Sequence, residues 1–257
     1  MENDPTPWIE ALRGTHDLLA GLVEPLDGHR LREPSFASDW SIAQVLSHLG
    51  SQAEIFGLFL EAGLMGEEPP GSDAFPTIWD AWNGRDPEAQ ADDALRMDEA
   101  LVHRLETLDP DIRDRLRLSM FGMDIDTAGL ARLRLGELAV HTWDVAVALD
   151  PGATITPVAV ALLVDVLGQT AARGGKPDGV TRRVHISTSN PERHFDLEVG
   201  ESVALTAADR DGDGPGLELP AEALIRLVYG RLDPAHTPPV QTRGVDLDEL
   251  RGIFPGF

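Results

Sequence analysis

Two side chains with metal-ligand chemistry stand four residues apart in the segment GLARLRLGELAVHTWDVAVAL: Glu137 and His141. On a helix that spacing puts a carboxylate and an imidazole on one face. A third candidate ligand, His48, lies in WSIAQVLSHLG, a separate stretch with helical periodicity. Two imidazoles and one carboxylate form the three-ligand set of a catalytic zinc site, which keeps a position open. Nitrogen and oxygen donors also admit nickel or iron. The pattern is not HExxH, so the zincin motif is absent. The same spacing describes an ordinary helical ion pair, and His48 by itself suits a satisfied core histidine. The residues alone leave these readings open.

The surroundings sharpen the question. On a helical wheel, Leu130, Leu133, Arg134, Glu137, His141, Asp144 and Ala148 share one side, while Leu135, Leu138, Ala139, Thr142 and Ala146 make the other side apolar too. A helix apolar nearly all round is a buried helix. Burying Arg134, Glu137, His141 and Asp144 is costly unless they pair or hold an ion. Facing helices of a bundle build metal sites from such residues. Asp144, close to one turn beyond His141, is placed to orient its ring. Arg134 is placed either to hold an anionic substrate or to neutralise Glu137 or Asp144.

These residues need elements to position them. Residues 5–26 carry helical periodicity through Trp8, Ile9, Leu12, His16, Leu19 and Leu22. Ser41 and Gln44 form a capping-box pattern that starts a helix from Ile42 to about Glu61. Residues 64–90 read as a long Gly/Pro/Asp-rich connection carrying Trp79 and Trp82, with room for a short helix. Helices are expected over 92–108, 128–149 and 155–172. Beyond ARGGKPDG the period changes from 3.6 to 2: RRVHISTSN, RHFDLEVG, SVALTAAD and LEL read as strands, followed by a helix in PAEALIRLVYGRL. DRDGDGPG lacks the 12-residue calcium-loop pattern and reads as a turn. The expected architecture is α+β, with a helical bundle over 1–175 and a small α/β domain over 176–257.

Composition bounds the chemistry. The 257 residues carry a formal net charge of −23, which disfavours nucleic acid and anionic membrane as partners. No cysteine is present, so any thiol chemistry must use a thiol brought by a cofactor. No run of 18 uncharged residues occurs, and the start MENDPTPWIEALRG lacks a signal-peptide pattern; a cytoplasmic location is expected. Nucleotide motifs and the GxSxG elbow are missing.

Together, GELAVHTWDVAVAL, the upstream SDWSIAQVLSHLG and the ending LPAEALIRLVYGRLDP resemble the mycothiol-dependent maleylpyruvate isomerase family, within the DinB-like metal-binding bundle superfamily. The resemblance spans nearly the whole chain. It implies a DinB-like four-helix bundle followed by the family's small α/β C-terminal domain. It implies Zn2+ held by His48, Glu137 and His141, with Asp144 as the acidic residue of an HTWD-type motif. Mycothiol is the implied thiol cofactor, with Arg231 of the C-terminal GR motif and Asp144 beside it. The implied reaction adds the thiolate to the cis double bond of maleylpyruvate, rotates the new single bond, and eliminates to fumarylpyruvate. Arg231 and Arg134 would hold substrate carboxylates.

The preferred expectation is therefore a zinc enzyme using a low-molecular-weight thiol for isomerisation or S-transfer on a small anionic or electrophilic substrate. A metal-dependent hydrolase on the same bundle is the alternative, with Asp144 as its one candidate base. A noncatalytic metal-binding or sensing protein is the third reading.

Overall fold

The computed structural model describes residues 4–37, 39–209 and 212–256. The chain divides into two compact units, Met1–Ala153 and Thr154–Phe257.

The first unit is built on four long helices, α1 (Thr6–Val23), α3 (Ile42–Met65), α5 (Pro87–Glu106) and α7 (Thr127–Leu149). Helix α1 packs against α5 and α7, and α3 packs against the same two, which closes a four-helix bundle. Two short helices, α2 (Gly28–Leu31) and α4 (Phe75–Asn83), lie in the connections, and α6 (Pro110–Arg115) follows α5. The capping box at the start of α3 forms: the Ser41 hydroxyl accepts from Gln44 N, and the Gln44 side chain accepts from Ser41 N. Gly66, left-handed at φ 69°, ends that helix. Helix α5 begins five residues before the expected 92, because Asp86 caps it and Pro87 takes the first helical position.

Helix α7 is buried along most of its length. Leu130, Leu135, Leu138 and Val145 have no exposed surface, and each contributes about 1.5–3 kcal/mol by leaving water. Asp126 caps the helix by accepting from Gly129 N. Just before it runs a hairpin that the sequence reading did not foresee, β1 (Arg117–Met120) and β2 (Met123–Asp126). Its two-residue turn, Phe121-Gly122, has positive φ at both positions, as a tight hairpin turn requires.

The second unit holds a five-stranded sheet in the order β5-β4-β3-β6-β7, formed by β3 (Arg182–Ser189), β4 (Arg193–Val199), β5 (Val203–Ala207), β6 (Gly216–Pro220) and β7 (Gln241–Arg243). All pairs are antiparallel except β3 with β6. Val184, Ile186, Phe195, Leu197, Leu205 and Leu217 line the buried face. Helix α9 (Leu167–Gly174) packs on β5, α10 (Ala221–Val228) packs on β3 and β6, and α8 (Pro157–Leu163) and α9 both pack on α10; α11 (Leu247–Ile253) follows β7.

The expected helix over 155–172 is thus two helices, broken by a 3-10 turn at Val164–Val166. Both belong with the sheet, because α8 packs on α10 and α9 packs on β5. The division of the chain accordingly falls at Ala153/Thr154 rather than near residue 175. Within DRDGDGPG, Arg210 and Asp211 lie outside the described residues, and residues 212–215 form neither helix nor strand. No described helix is long and apolar enough to cross a membrane.

Candidate metal centre

The site sits where α3 faces α7. His48 comes from the second turn of α3, fixed in phase by the cap at Ser41, and Glu137 and His141 come from successive turns of α7. His48 Nε2 lies 3.6 Å from Glu137 Oε2, and His141 Nε2 lies 3.8 Å from the same oxygen. The three donor atoms fall within 4.8 Å of one another, the one group of its kind among the described residues. The two imidazole rings meet edge to face, 4.7 Å between centres. The site is not sealed: the His141 side chain is 10% exposed, that of His48 27% and that of Glu137 36%.

The protonation states suit a cation. Burial pushes the Glu137 carboxyl up, but the adjacent His48 and His141 rings and the Gln52 amide together hold it down at about 2. Burial also pushes the His48 ring below its ordinary value, with His141 adding to that and Glu137 opposing it. Glu137 is therefore an anion and His48 a neutral ligand near pH 7. His141 is oriented from behind, its Nδ1 2.8 Å from Oδ2 of Asp144, a side chain with no exposed surface. With Nδ1–H donating to that carboxylate, the Nε2 lone pair faces Glu137 and His48. Two imidazole nitrogens and one carboxylate oxygen that converge within 4.8 Å of one another fit zinc.

Arg134 has another place than a substrate would require. It has no exposed surface, and it pairs with Asp98 rather than with Glu137 or Asp144. Its Nη2 lies 2.7 Å and its Nε 3.1 Å from Asp98 Oδ1. Nη1 donates to Gln52 Oε1 at 3.2 Å and Nη2 to Leu49 O at 3.1 Å. His16, on α1, completes this network with Nδ1 2.9 Å from Asp98 Oδ2 and Nε2 3.1 Å from Glu99. Arg231 belongs to the second unit, on the turn after α10, where its Nη1 donates to Tyr229 O at 2.9 Å.

Two residues near the ligands had no role in the sequence reading. Gln52 Nε2 donates to Glu137 Oε2 at 2.8 Å. The Trp40 ring lies 5.2 Å from that of His48 and 6.4 Å from that of His141, and forms an aromatic wall beside them. Gln52 was within reach of the spacing rule, since it stands four residues beyond His48 on the same face of α3. Trp40 sits in the loop before the cap, where periodicity has nothing to say.

The fold and the site define a class: helical-bundle proteins that set two histidines and a glutamate around a metal-sized gap between facing helices. Residues 12–146, more than half of the chain, match the family model described as the mycothiol maleylpyruvate isomerase N-terminal domain. The chain belongs to this family. The fold is also that of a crystal structure of the mycothiol-dependent maleylpyruvate isomerase, at a TM-score of 0.67 and 14% identity, over 89% of this chain and 90% of that one. A histidine-to-alanine mutant of that isomerase matches at a TM-score of 0.66, again at 14% identity and over the same shares of the two chains. No curated protein matches the chain in sequence.

Proposed function

We propose that this chain is a zinc-dependent enzyme that uses a low-molecular-weight thiol, mycothiol, to isomerise a maleylpyruvate-like substrate or to transfer sulfur to a small electrophile. The observation that carries the reading is the convergence of His48, Glu137 and His141, with Asp144 locked behind His141. Family membership supports the choice of thiol, and a chain without cysteine is consistent with a thiol that arrives from outside. The reading places the enzyme in the cytoplasm, where a small-molecule thiol is kept reduced.

A zinc ion at this site supplies Lewis acidity that lowers the pKa of a thiol near it. The residues do the rest. His48 and His141 would offer imidazole nitrogens, and Glu137 would supply one negative charge. Asp144 fixes the tautomer and the plane of His141. Trp40 lines one side of the two imidazoles. We assign Arg231 to a substrate carboxylate, because a guanidinium binds a carboxylate through two parallel hydrogen bonds. Arg134 we assign to support of the ligands, since its donors are already spent on Asp98, Gln52 and Leu49.

The hydrolase alternative is weakened by the same geometry. It needs a free carboxylate as base, and Asp144, its one candidate in the sequence, is buried and engaged with His141 Nδ1.

The first test is metal content by mass spectrometry on the parent chain and on Glu137→Ala. The expected result is near one zinc per parent chain and none in the variant. Mycothiol-dependent loss of maleylpyruvate should then follow in the parent alone. A parent that takes up no zinc, even after reconstitution, sinks the enzyme reading.

A further inference from the structure

Behind the three ligands lies a row of hydrogen bonds that the reaction itself does not use. It runs from Glu137 to Gln52, on to Arg134, then to Asp98 and His16, and it crosses α7, α3, α5 and α1. Its direction is determined by chemistry. Arg134 is donor-only, and its Nη1 reaches the Gln52 side chain. The oxygen of that amide must therefore face Arg134. The amide nitrogen must then face the other way, where it meets Glu137 Oε2 at 2.8 Å. A glutamine amide free to turn could offer either end; this one cannot.

The carboxylate feels the consequence. Oε2 is the oxygen that lies 3.6 Å from His48 Nε2 and 3.8 Å from His141 Nε2. Gln52 thus holds the same oxygen that the two histidines face, and occupies one of its lone pairs. More than a third of the Glu137 side chain is open to solvent, and among the described residues the Gln52 amide is the group within hydrogen-bond distance that holds it against rotation.

We propose that Gln52 is a positioning residue for the metal centre: it pins Oε2 of Glu137 between the two histidines, and Arg134 fixes which end of the Gln52 amide does so. The inference rests on the zinc reading above. It assigns Arg134 a purpose that burial alone does not explain, namely to orient an amide rather than to meet a substrate. Asp98 and His16 hold Arg134 in turn.

The test is zinc affinity by chelator competition on the whole chain, beside far-UV circular dichroism and the melting temperature of the metal-free protein. Gln52→Met keeps the length of the side chain and removes the donor. The expected result is zinc bound about 10- to 100-fold more weakly, the usual loss for a partner that orients a ligand, with helix content unchanged. Arg134→Lys keeps the positive charge beside Asp98 but loses the planar fork that spans Asp98 and Gln52. It should weaken zinc binding in the parent and add no further loss in the Gln52→Met background, because both changes break one device.

A second readout needs no metal. The two amide proton resonances of Gln52, identified by their disappearance in Gln52→Met, should be spread wider than those of free glutamine, since one proton is bonded to a carboxylate. A parent that binds no zinc overturns the zinc reading and this inference together. A parent that binds zinc, with Gln52→Met binding it within about twofold, overturns this inference alone. Fully additive losses for the two substitutions overturn the part assigned to Arg134.

Discussion

At the scale of single residues, the site is a set of groups whose protonation and orientation are fixed before any ligand arrives. Glu137 is kept anionic by what donates to it, and His48 is kept neutral by burial. Asp144 does for His141 what Gln52 does for Glu137. Asp144→Asn retains the size and an acceptor oxygen but removes the charge behind the imidazole. It should weaken zinc binding about 10- to 100-fold while the fold survives, as read by chelator competition and circular dichroism. The candidate pair was legible in the sequence, because Glu137 and His141 are four residues apart on one helix and spacing alone gives them a common face. His48 was legible as a residue type in a capped helix, but no local rule says that α3 and α7 touch at that turn. Arg134 was legible as a buried charge. Its partner Asp98 was not, since Asp98 sits 36 residues away on α5 and nothing local links them.

At the scale of elements, the candidate metal centre depends on how closely the helices approach. Gly50 lies two residues from His48, on the side of α3 that meets the indole of Trp82, and a methyl group there would strike that ring. Trp82 is 1% exposed and donates to Glu54 at 2.7 Å, so it has nowhere to move. Gly50→Ala should therefore cost about 1–3 kcal/mol by overpacking. A lower urea midpoint would show it, as would weaker zinc binding through the displaced α3. Elements that the sequence did not reveal share a physical cause. The hairpin β1–β2 has only four residues in each strand, and β7 has three exposed residues with no alternation to read. Neither is long enough to print a period. The break at Val164–Val166 carries no Pro or Gly; it is imposed by packing, as α9 turns to lie against β5.

At the scale of the molecule, stability is linked to pH through the polar core of the bundle. Burial lowers the pKa of His16, but the Asp98 hydrogen bond and the charges of Asp98 and Glu99 overcome it, so the ring ends above its ordinary 6.5. A raised folded value means that the stabilisation is fully present below pH 6.5 and is lost as pH rises through the folded value. Asp98 has the opposite sign. Burial pushes it up, but Arg134 and His16 pull it below its ordinary 3.8, so its contribution is present above that value and lost as pH falls through the depressed one. The His16 contribution to the urea midpoint of the metal-free chain should therefore be present below pH 6.5 and fade toward alkaline pH. His16→Gln should flatten the alkaline fall and leave the acid limb in place. An unchanged alkaline limb in that variant would show that His16 is not its source.

The sequence by itself determined the four long helices, the strand-rich second half, and which side chains carry ligand chemistry. Each of these is written in local terms: period, cap and spacing along one chain segment. Only the tertiary structure decided that His48 completes the set, that Arg134 serves Asp98 and Gln52, and that residues 154–175 belong with the sheet. Those outcomes depend on which helix faces which, and at what turn. That is settled by filling the bundle core and satisfying its buried charges all at once, between residues as far apart in sequence as Asp98 and Arg134 or His48 and Glu137, and no single segment of the sequence contains it.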